Sequence, residues 1–290
     1  MPYVVVDVFT EVPLRGNPLA VFPDARGLDD AQMQAIAREL NLSETSFVFP
    51  PNDGQSVARL RIFTPSAEVP FAGHPTIGTA FVLVSNGTVA PEATSFVLNE
   101  RIGNVPIRLE RRADPFLVWF TGPPIVLGAY ADRMACVRAL GLDIDDCLDD
   151  LPAQFISGGN TFLYIPLRDR ATVDRAKLIV DAMARAGAGE MGVYVFSTTP
   201  NGVYARLFAP YFGIAEDPAT GSAMGPLAAY LFEHNLIERK DGLRLVSEQG
   251  AAMGRRSILH MQLHVDGSTL AGVEVGGSAV PIIEGTIQLA

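Results

Sequence analysis

Over most of the chain, alternating or short apolar runs are bounded by glycine and proline. In the first third, Tyr3–Phe9, Leu19–Phe22, Ser46–Phe49 and Ala58–Phe63 read as strands. Ser95–Leu98, Val105–Leu109, Leu117–Phe120, Leu243–Val246, Ile258–Val265, Leu270–Val275 and Ile282–Leu289 follow the same pattern. Two kinds of helical pattern interrupt the strands. Leu28–Leu40 places Met33, Ile36, Ala37 and Leu40 on one face behind a capping Asp29 or Asp30, and Thr172–Ala186 is its counterpart. Gly73–Val84 and Thr220–Phe232 are instead apolar on nearly every face, with small residues crowding the first turn, the pattern of a helix buried on all sides.

These elements occur twice. Arg61-Ile-Phe-Thr-Pro65 returns as Arg206-Leu-Phe-Ala-Pro210, Gly16-Asn17 as Gly159-Asn160, and Val48-Phe49 as Val195-Phe196. Asn99-Glu100 and Ser247-Glu248 occupy similar places. Each half also carries 11 basic and 16 acidic residues, so both halves are the same kind of domain. Each therefore reads as a strand-rich α/β domain around one central apolar helix. A pseudo-two-fold axis and a cleft between the halves are expected, with two helix N-termini at that cleft. Their free N–H groups and positive dipole ends suit an anion, most naturally a carboxylate.

Composition narrows the function. The 290 residues carry 22 Lys and Arg against 32 Asp and Glu, a net charge of −10 that disfavours nucleic acid as a partner. Lys177 and Lys240 are the two lysines, and neither has the marked context of a Schiff-base or pyridoxal-phosphate enzyme. No uncharged apolar run reaches membrane-spanning length, and the N-terminus lacks a signal-peptide pattern, so the chain reads as cytoplasmic. Cys136 and Cys147 read as plain buried thiols. A dinucleotide fingerprint, a phosphate loop and a nucleophile elbow are all missing, and His260 and His264 lie on a strand without an acidic ligand cluster, so no metal site is read there.

Polar residues that differ between the halves are the candidates for chemistry. Glu44 lies in Asn41-Leu-Ser-Glu-Thr45, where the second half has Gly189-Glu-Met-Gly192. His74 sits in the first turn of the first apolar helix, and Asp217 and Ser222 flank the second glycine-rich turn. Each also has a plain structural reading: a solvated carboxylate at a helix end for Glu44, a capping or core histidine for His74, and helix capping for Asp217 and Ser222.

At these residues a family becomes visible. Gly16-Asn-Pro-Leu-Ala-Val-Phe22, Asn41-Leu-Ser-Glu-Thr45, Arg61-Ile-Phe-Thr-Pro65, Pro70-Phe-Ala-Gly-His-Pro75 and Glu216-Asp-Pro-Ala-Thr-Gly-Ser-Ala-Met-Gly-Pro226 closely resemble the PhzF family of phenazine-biosynthesis isomerases, with the diaminopimelate-epimerase-like fold. The resemblance covers the whole chain. It implies an α/β (α+β) protein of two pseudo-symmetric domains, each a barrel-like mixed sheet around a central helix. The first domain would comprise residues 1–120 with a returning C-terminal strand at 279–290, and the second residues 121–278. It also implies a homodimer. Carried over residue by residue, it makes Glu44 the general acid/base, His74 its neighbour in the cleft, and Asp217 a contact to substrate polar groups. Gly73, Gly221 and Ser222 would receive the substrate carboxylate.

The two-thiol mechanism of related epimerases does not apply, because Ala72-Gly73-His74 and Ala219-Thr220-Gly221 contain no cysteine. The implied reaction is isomerisation of trans-2,3-dihydro-3-hydroxyanthranilate, with one carboxylate moving the proton and no cofactor or metal. Such a base works best with a pKa raised toward neutrality by burial. Two alternatives stay open: another cofactor-free isomerase or epimerase of a small carboxylic or amino acid, and a non-catalytic small-acid-binding protein.

Overall fold

The computed structural model describes residues 1–111, 115–148 and 150–289. Strands β1 (Pro2–Val8), β2 (Asn17–Phe22), β3 (Glu44–Phe49), β4 (Ala58–Phe63), β5 (Glu68–Val69), β6 (Ser95–Glu100), β7 (Gly103–Glu110) and β8 (Leu117–Thr121) form the first group, some alternating in burial like β6 and β7, others buried along most of their length like β8. Helix α1 (Asp30–Leu40) lies between β2 and β3, and helix α2 (Gly73–Ser85) between β5 and β6. Asp29 caps α1 by accepting from the Gln32 N–H, while the Gln32 side chain accepts from the Asp29 N–H. Met33, Ile36 and Ala37 then pack on Phe22, Phe47 and Phe63 outside the sheet.

The second group of strands is β9 (Val126–Tyr130), β10 (Gln154–Gly158), β11 (Asn160–Pro166), β12 (Gly192–Thr199), β13 (Gly202–Ala209), β14 (Ile214–Asp217), β15 (Arg244–Gln249), β16 (Ser257–Asp266) and β17 (Thr269–Gly277). Alternation does not mark β9, whose five residues are all exposed, or β10, and pairing with a neighbour makes both into strands. Helices α3 (Arg133–Arg138), α4 (Arg170–Arg175), α5 (Val180–Met183) and α6 (Met224–Glu233) belong to this half, and β18 (Ala279–Thr286) closes the chain.

The chain divides into two units, Met1–Thr121 with the residues from Gly276 onward, and Gly122–Val275. In the first, pairing runs β18–β1–β2–β3–β4–β6–β7–β8, with β5 also on β4. In the second it runs β9–β10–β11–β12–β13–β15–β16, with β14 on β13. The parallel pairs are β2–β3 and β4–β6 in one unit, and β11–β12 and β13–β15 in the other. Each unit is thus the same mixed sheet around one apolar helix, α2 or α6.

Close approach makes that wrapping work, and the two units solve it in opposite ways. In α2 the helix supplies the glycine: a Cβ on Gly78 would lie 2.7 Å from Val8 Cγ2 and 2.6 Å from Leu19 Cδ2. In the second unit the strand supplies it: a Cβ on Gly158 would lie 2.8 Å from Cγ of Pro226. Registers equate Val8 with Gly158, since each lies opposite the asparagine at its hairpin, Asn17 or Asn160.

Three expectations need correction. The single helix over Thr172–Ala186 is replaced by α4 and α5. The Arg206 guanidinium takes the carbonyls of Val173, Asp174 and Ala176, and Ala176 leaves helical geometry with ψ 130°. The last strand lies a few residues earlier than Ile282–Leu289, with Pro281 at a bulge opposite Val6 where the ladder shifts register. Finally, the residue matching Glu100 is Gln249, because Arg59 pairs with Asn99 as Tyr204 pairs with Glu248.

Among the described residues no helix is long and apolar enough to cross a membrane. Cys136 and Cys147 are buried free thiols, and burial raises the Cys136 pKa to about 11.

Gly78→Val should lower stability by about 1–3 kcal/mol through overpacking. Val8→Ala in the same chain should recover part of that loss, as read by urea unfolding. A double mutant no more stable than Gly78→Val would place the strain elsewhere.

Candidate active site

In the first unit the site is built on the start of α2 and the first residues of β2 and β3. Gly16 makes the entry to β2: its φ is +66°, and a Cβ there would lie 2.3 Å from the Val8 carbonyl oxygen. That turn delivers Asn17, fully buried, beside the ring of His74. The Asn17 amide nitrogen lies 3.4 Å from His74 Nδ1. An amide nitrogen can only donate, so Nδ1 accepts and the proton of the neutral ring sits on Nε2. His74 Nε2 in turn lies 3.4 Å from a carboxylate oxygen of Glu44. Burial drives the His74 pKa down to about 3, which keeps the ring neutral. Glu44 thus lies beside an uncharged imidazole whose tautomer Asn17 sets, near enough for Nε2 but without a formed hydrogen bond between them.

Glu44 is the first residue of β3 and pairs with Leu19. The same position in the second unit is Gly192, which pairs with Phe162. A Cβ there would lie 2.8 Å from the Phe162 ring, so that unit has no room for a carboxylate at this point.

Behind the helix start sits a second carboxyl. Thr76 Oγ1 lies 2.7 Å from Glu100 Oε1 and 2.8 Å from the Ala72 carbonyl oxygen. Glu100 is buried, and desolvation lifts its pKa to about 8. Its counterpart Gln249 does the same work without a charge. Gln249 Nε2 donates to the Asp217 carbonyl at 2.8 Å and lies 3.0 Å from Thr220 Oγ1. Thr220 Oγ1 donates in turn to the Asp217 carboxylate at 2.5 Å. Asp217, at the end of β14, is therefore tied into the turn that carries Gly221 and Ser222, the latter half-buried. Neither turn has a side-chain cap at its helical start, Ala72 or Thr220.

Of the residues singled out from sequence, the first unit brings Glu44, His74 and Gly73 together, and the second gathers Asp217, Gly221 and Ser222 on one turn. Asn17, Thr76, Glu100, Thr220 and Gln249 were not foreseen. A signal existed for some of them: Asn17 lies in the repeated Gly-Asn word. Glu100 falls on the inward phase of its strand with Phe96 and Leu98, where a carboxyl is unusual.

The architecture is shared with known proteins. The fold is shared with a hydroxyproline epimerase from Agrobacterium vitis (TM-score 0.67, 14% identity, covering 98% of this chain and 91% of that one). It is shared more closely with a PhzF-family phenazine biosynthesis protein from Bacillus anthracis (TM-score 0.90, 24% identity, covering 100% and 99%). These place the chain, at the level of architecture, among mixed α+β folds of the proline racemase and diaminopimelate-epimerase type. The phenazine biosynthesis-like protein family, PhzC-PhzF, matches residues 6–285. A trans-2,3-dihydro-3-hydroxyanthranilate isomerase from Pseudomonas fluorescens is 36% identical over 99% of both chains. The chain belongs to the PhzF family and is an isomerase.

Two opposing pH dependences follow. A histidine held neutral down to about pH 3 but titrating at 6.5 when unfolded gives stability that is complete above pH 6.5 and is lost toward pH 3. A carboxyl at about 8 in the fold and 4.5 unfolded gives stability that is complete below pH 4.5 and is lost as pH rises toward 8. Each slope approaches about 1.4 kcal/mol per pH unit, so between pH 4.5 and 6.5 they offset one another. Glu100→Gln should unmask stability that rises with pH across that window, and His74→Gln stability that falls. Urea unfolding of both variants at pH 4.5, 5.5 and 6.5 checks this; parallel profiles for the two would refute it.

Proposed function

We propose that the protein moves a proton between two carbons of a small cyclic carboxylate, with Glu44 as the general acid/base. The observation that carries this reading is the asymmetry at β3. One unit places a carboxylate against a neutral, oriented imidazole, and the other has glycine at the same position.

The chemistry needs few parts. An acidic C–H beside a π system gives its proton to the Glu44 carboxylate, and the electron pair spreads into the conjugated ring. The protonated Glu44 returns the proton to another ring carbon on the same face. His74 Nε2 lies 3.4 Å from a Glu44 oxygen, and the ring, being uncharged, does not neutralise the base by proton transfer. Asn17 is a positioning residue that acts through His74. Gly73, Gly221 and Ser222 are the proposed donors to the substrate carboxylate, as the family resemblance implies. Asp217 meets polar groups of the substrate. Binding the carboxylate on such donors also draws charge from the ring as the carbanion forms.

The substrate class follows the relative from Pseudomonas fluorescens, so trans-2,3-dihydro-3-hydroxyanthranilate is the first compound to test. A pure binding protein for small acids gains nothing from Glu44 in the site, since a carboxylate repels an anionic ligand.

Glu44→Gln should keep the fold and ligand binding but lower turnover by at least ~10²-fold, the usual size for a lost general acid/base. Incubation in D2O with that compound and with a panel of cyclic acids, followed by NMR, reads deuterium uptake directly. Uptake at the wild-type rate in Glu44→Gln would assign the proton transfer to another group.

A further inference from the structure

Each unit carries the same arginine–glutamate bracket on the outer face of its sheet. Arg61 Nε and a terminal nitrogen donate to the two oxygens of Glu68 at 2.8 and 2.7 Å, and Arg206 does the same to Glu216 at 2.9 and 2.8 Å. Around this shared bracket the two units differ in charge.

In the second unit the neighbouring positions on paired strands are Tyr204 and Glu248. Arg170, from α4, lies over the Tyr204 ring at 3.9 Å and donates to Glu248 at 2.9 Å, and Arg256 reaches the same carboxylate at 2.7 Å. Cation and anion there are supplied from within the chain.

In the first unit the corresponding pair is Arg59 and Asn99. The aromatic has become the cation, and the carboxylate has become a neutral amide. Arg59 lies over the Phe49 ring at 4.8 Å. Its buried Nε has no hydrogen-bond acceptor, and no carboxylate pairs with its guanidinium among the described residues. The other cations nearby are engaged: Arg61 by Glu68 and Asp30, and Arg101 by Glu68 at 3.4 Å.

Beside Arg59 the structure is open. β4 and β6 pair at Ala58–Leu98 and Arg59–Asn99, and β4 then continues against β5. An open groove of about 600 Å³ lies there, lined by Arg59, Asn52 and Asn99 and also by three carboxyl groups: Asp30 and Glu68, both held by Arg61, and Glu100. That volume suits a small molecule. An unpaired guanidinium, desolvated on one side by an aromatic ring, presents a planar fork that matches an oxyanion, and two side-chain amides can serve the ligand's remaining polar groups.

We propose that this groove is a second ligand site, separate from the Glu44 site, that takes a small molecule through its carboxylate or phosphate group on Arg59. The ligand stands where Glu248 stands in the second unit. This inference does not rest on the proton-transfer reading.

The buried Arg59 Nε–H gives a direct readout in ¹⁵N-arginine-labelled protein, with its signal identified by its loss in Arg59→Met. Titration with inorganic phosphate and with succinate, at matched ionic strength, should move that signal saturably; the tighter of the two names the oxyanion. Asn99→Glu puts back the carboxylate of the second unit and should weaken binding about tenfold or more by occupying Arg59 from within. Ser222→Ala, altered only in the other site, should leave the Arg59 titration unchanged. No saturable movement with either probe would overturn the proposal, as would an Asn99→Glu titration equal to wild type or an effect of Ser222→Ala on the Arg59 signal.

Discussion

Burying a helix with no polar face inside a single sheet is the constraint on which each unit depends. α2 has eleven consecutive buried residues from Gly73 to Leu83, so the strands must wrap it. A wrapped helix can come this close to its sheet only where one partner lacks a side chain, hence Gly78 in one unit, against Val8 and Leu19, and Gly158 in the other, against Pro226. The same packing sets the site. Because α2 lies on β2 and β3, its first turn meets their first residues, Asn17 and Glu44. The site forms where the helix enters its sheet, and its precision follows from the tightness of the core around it.

Burial then decides the electrostatics. His74 is neutral because its ring has lost water, not because of a neighbouring cation. The Glu100 carboxyl is raised by the same cause in the same unit. One desolvated group favours losing its proton and the other favours keeping it, so the interior around α2 carries little net charge near neutral pH. The second unit reaches a similar end with Gln249, which cannot ionise. The amide is the simpler brace for a turn; a carboxyl in the matching place gives the first unit a group that can titrate.

Duplication lets each unit serve as the reference for the other. Where both keep a feature, such as the bracket of Arg61 with Glu68 and Arg206 with Glu216, the feature holds the fold. Differences mark departures from that common plan: Glu44 against Gly192, His74 against Ser222, Arg59 against Tyr204. In the second unit Arg206 also takes three carbonyls at the end of α4, satisfying groups that a helix terminus leaves free. In the first unit Arg61 instead reaches Asp30, in the first turn of α1.

Much of this was legible in the chain itself. Alternating or short continuous apolar runs located most strands, because each buries one face or both, and the all-round apolar helices announced their own burial. Repeated words exposed the duplication, and the motifs around Glu44, His74 and Asp217 carried the family. Tertiary structure alone decided the rest. Strands β9 and β10 exist because each pairs with a neighbour, which hydropathy does not record. The break between α4 and α5 depends on a guanidinium from a distant strand. The imidazole tautomer depends on Asn17, 57 residues away in sequence. Whether Arg59 is engaged or open depends on registers that place Asn99 beside it. Local sequence sets which residues are apolar and where turns fall; which polar groups meet is set by pairing across the sheet, a long-range property that no local pattern contains.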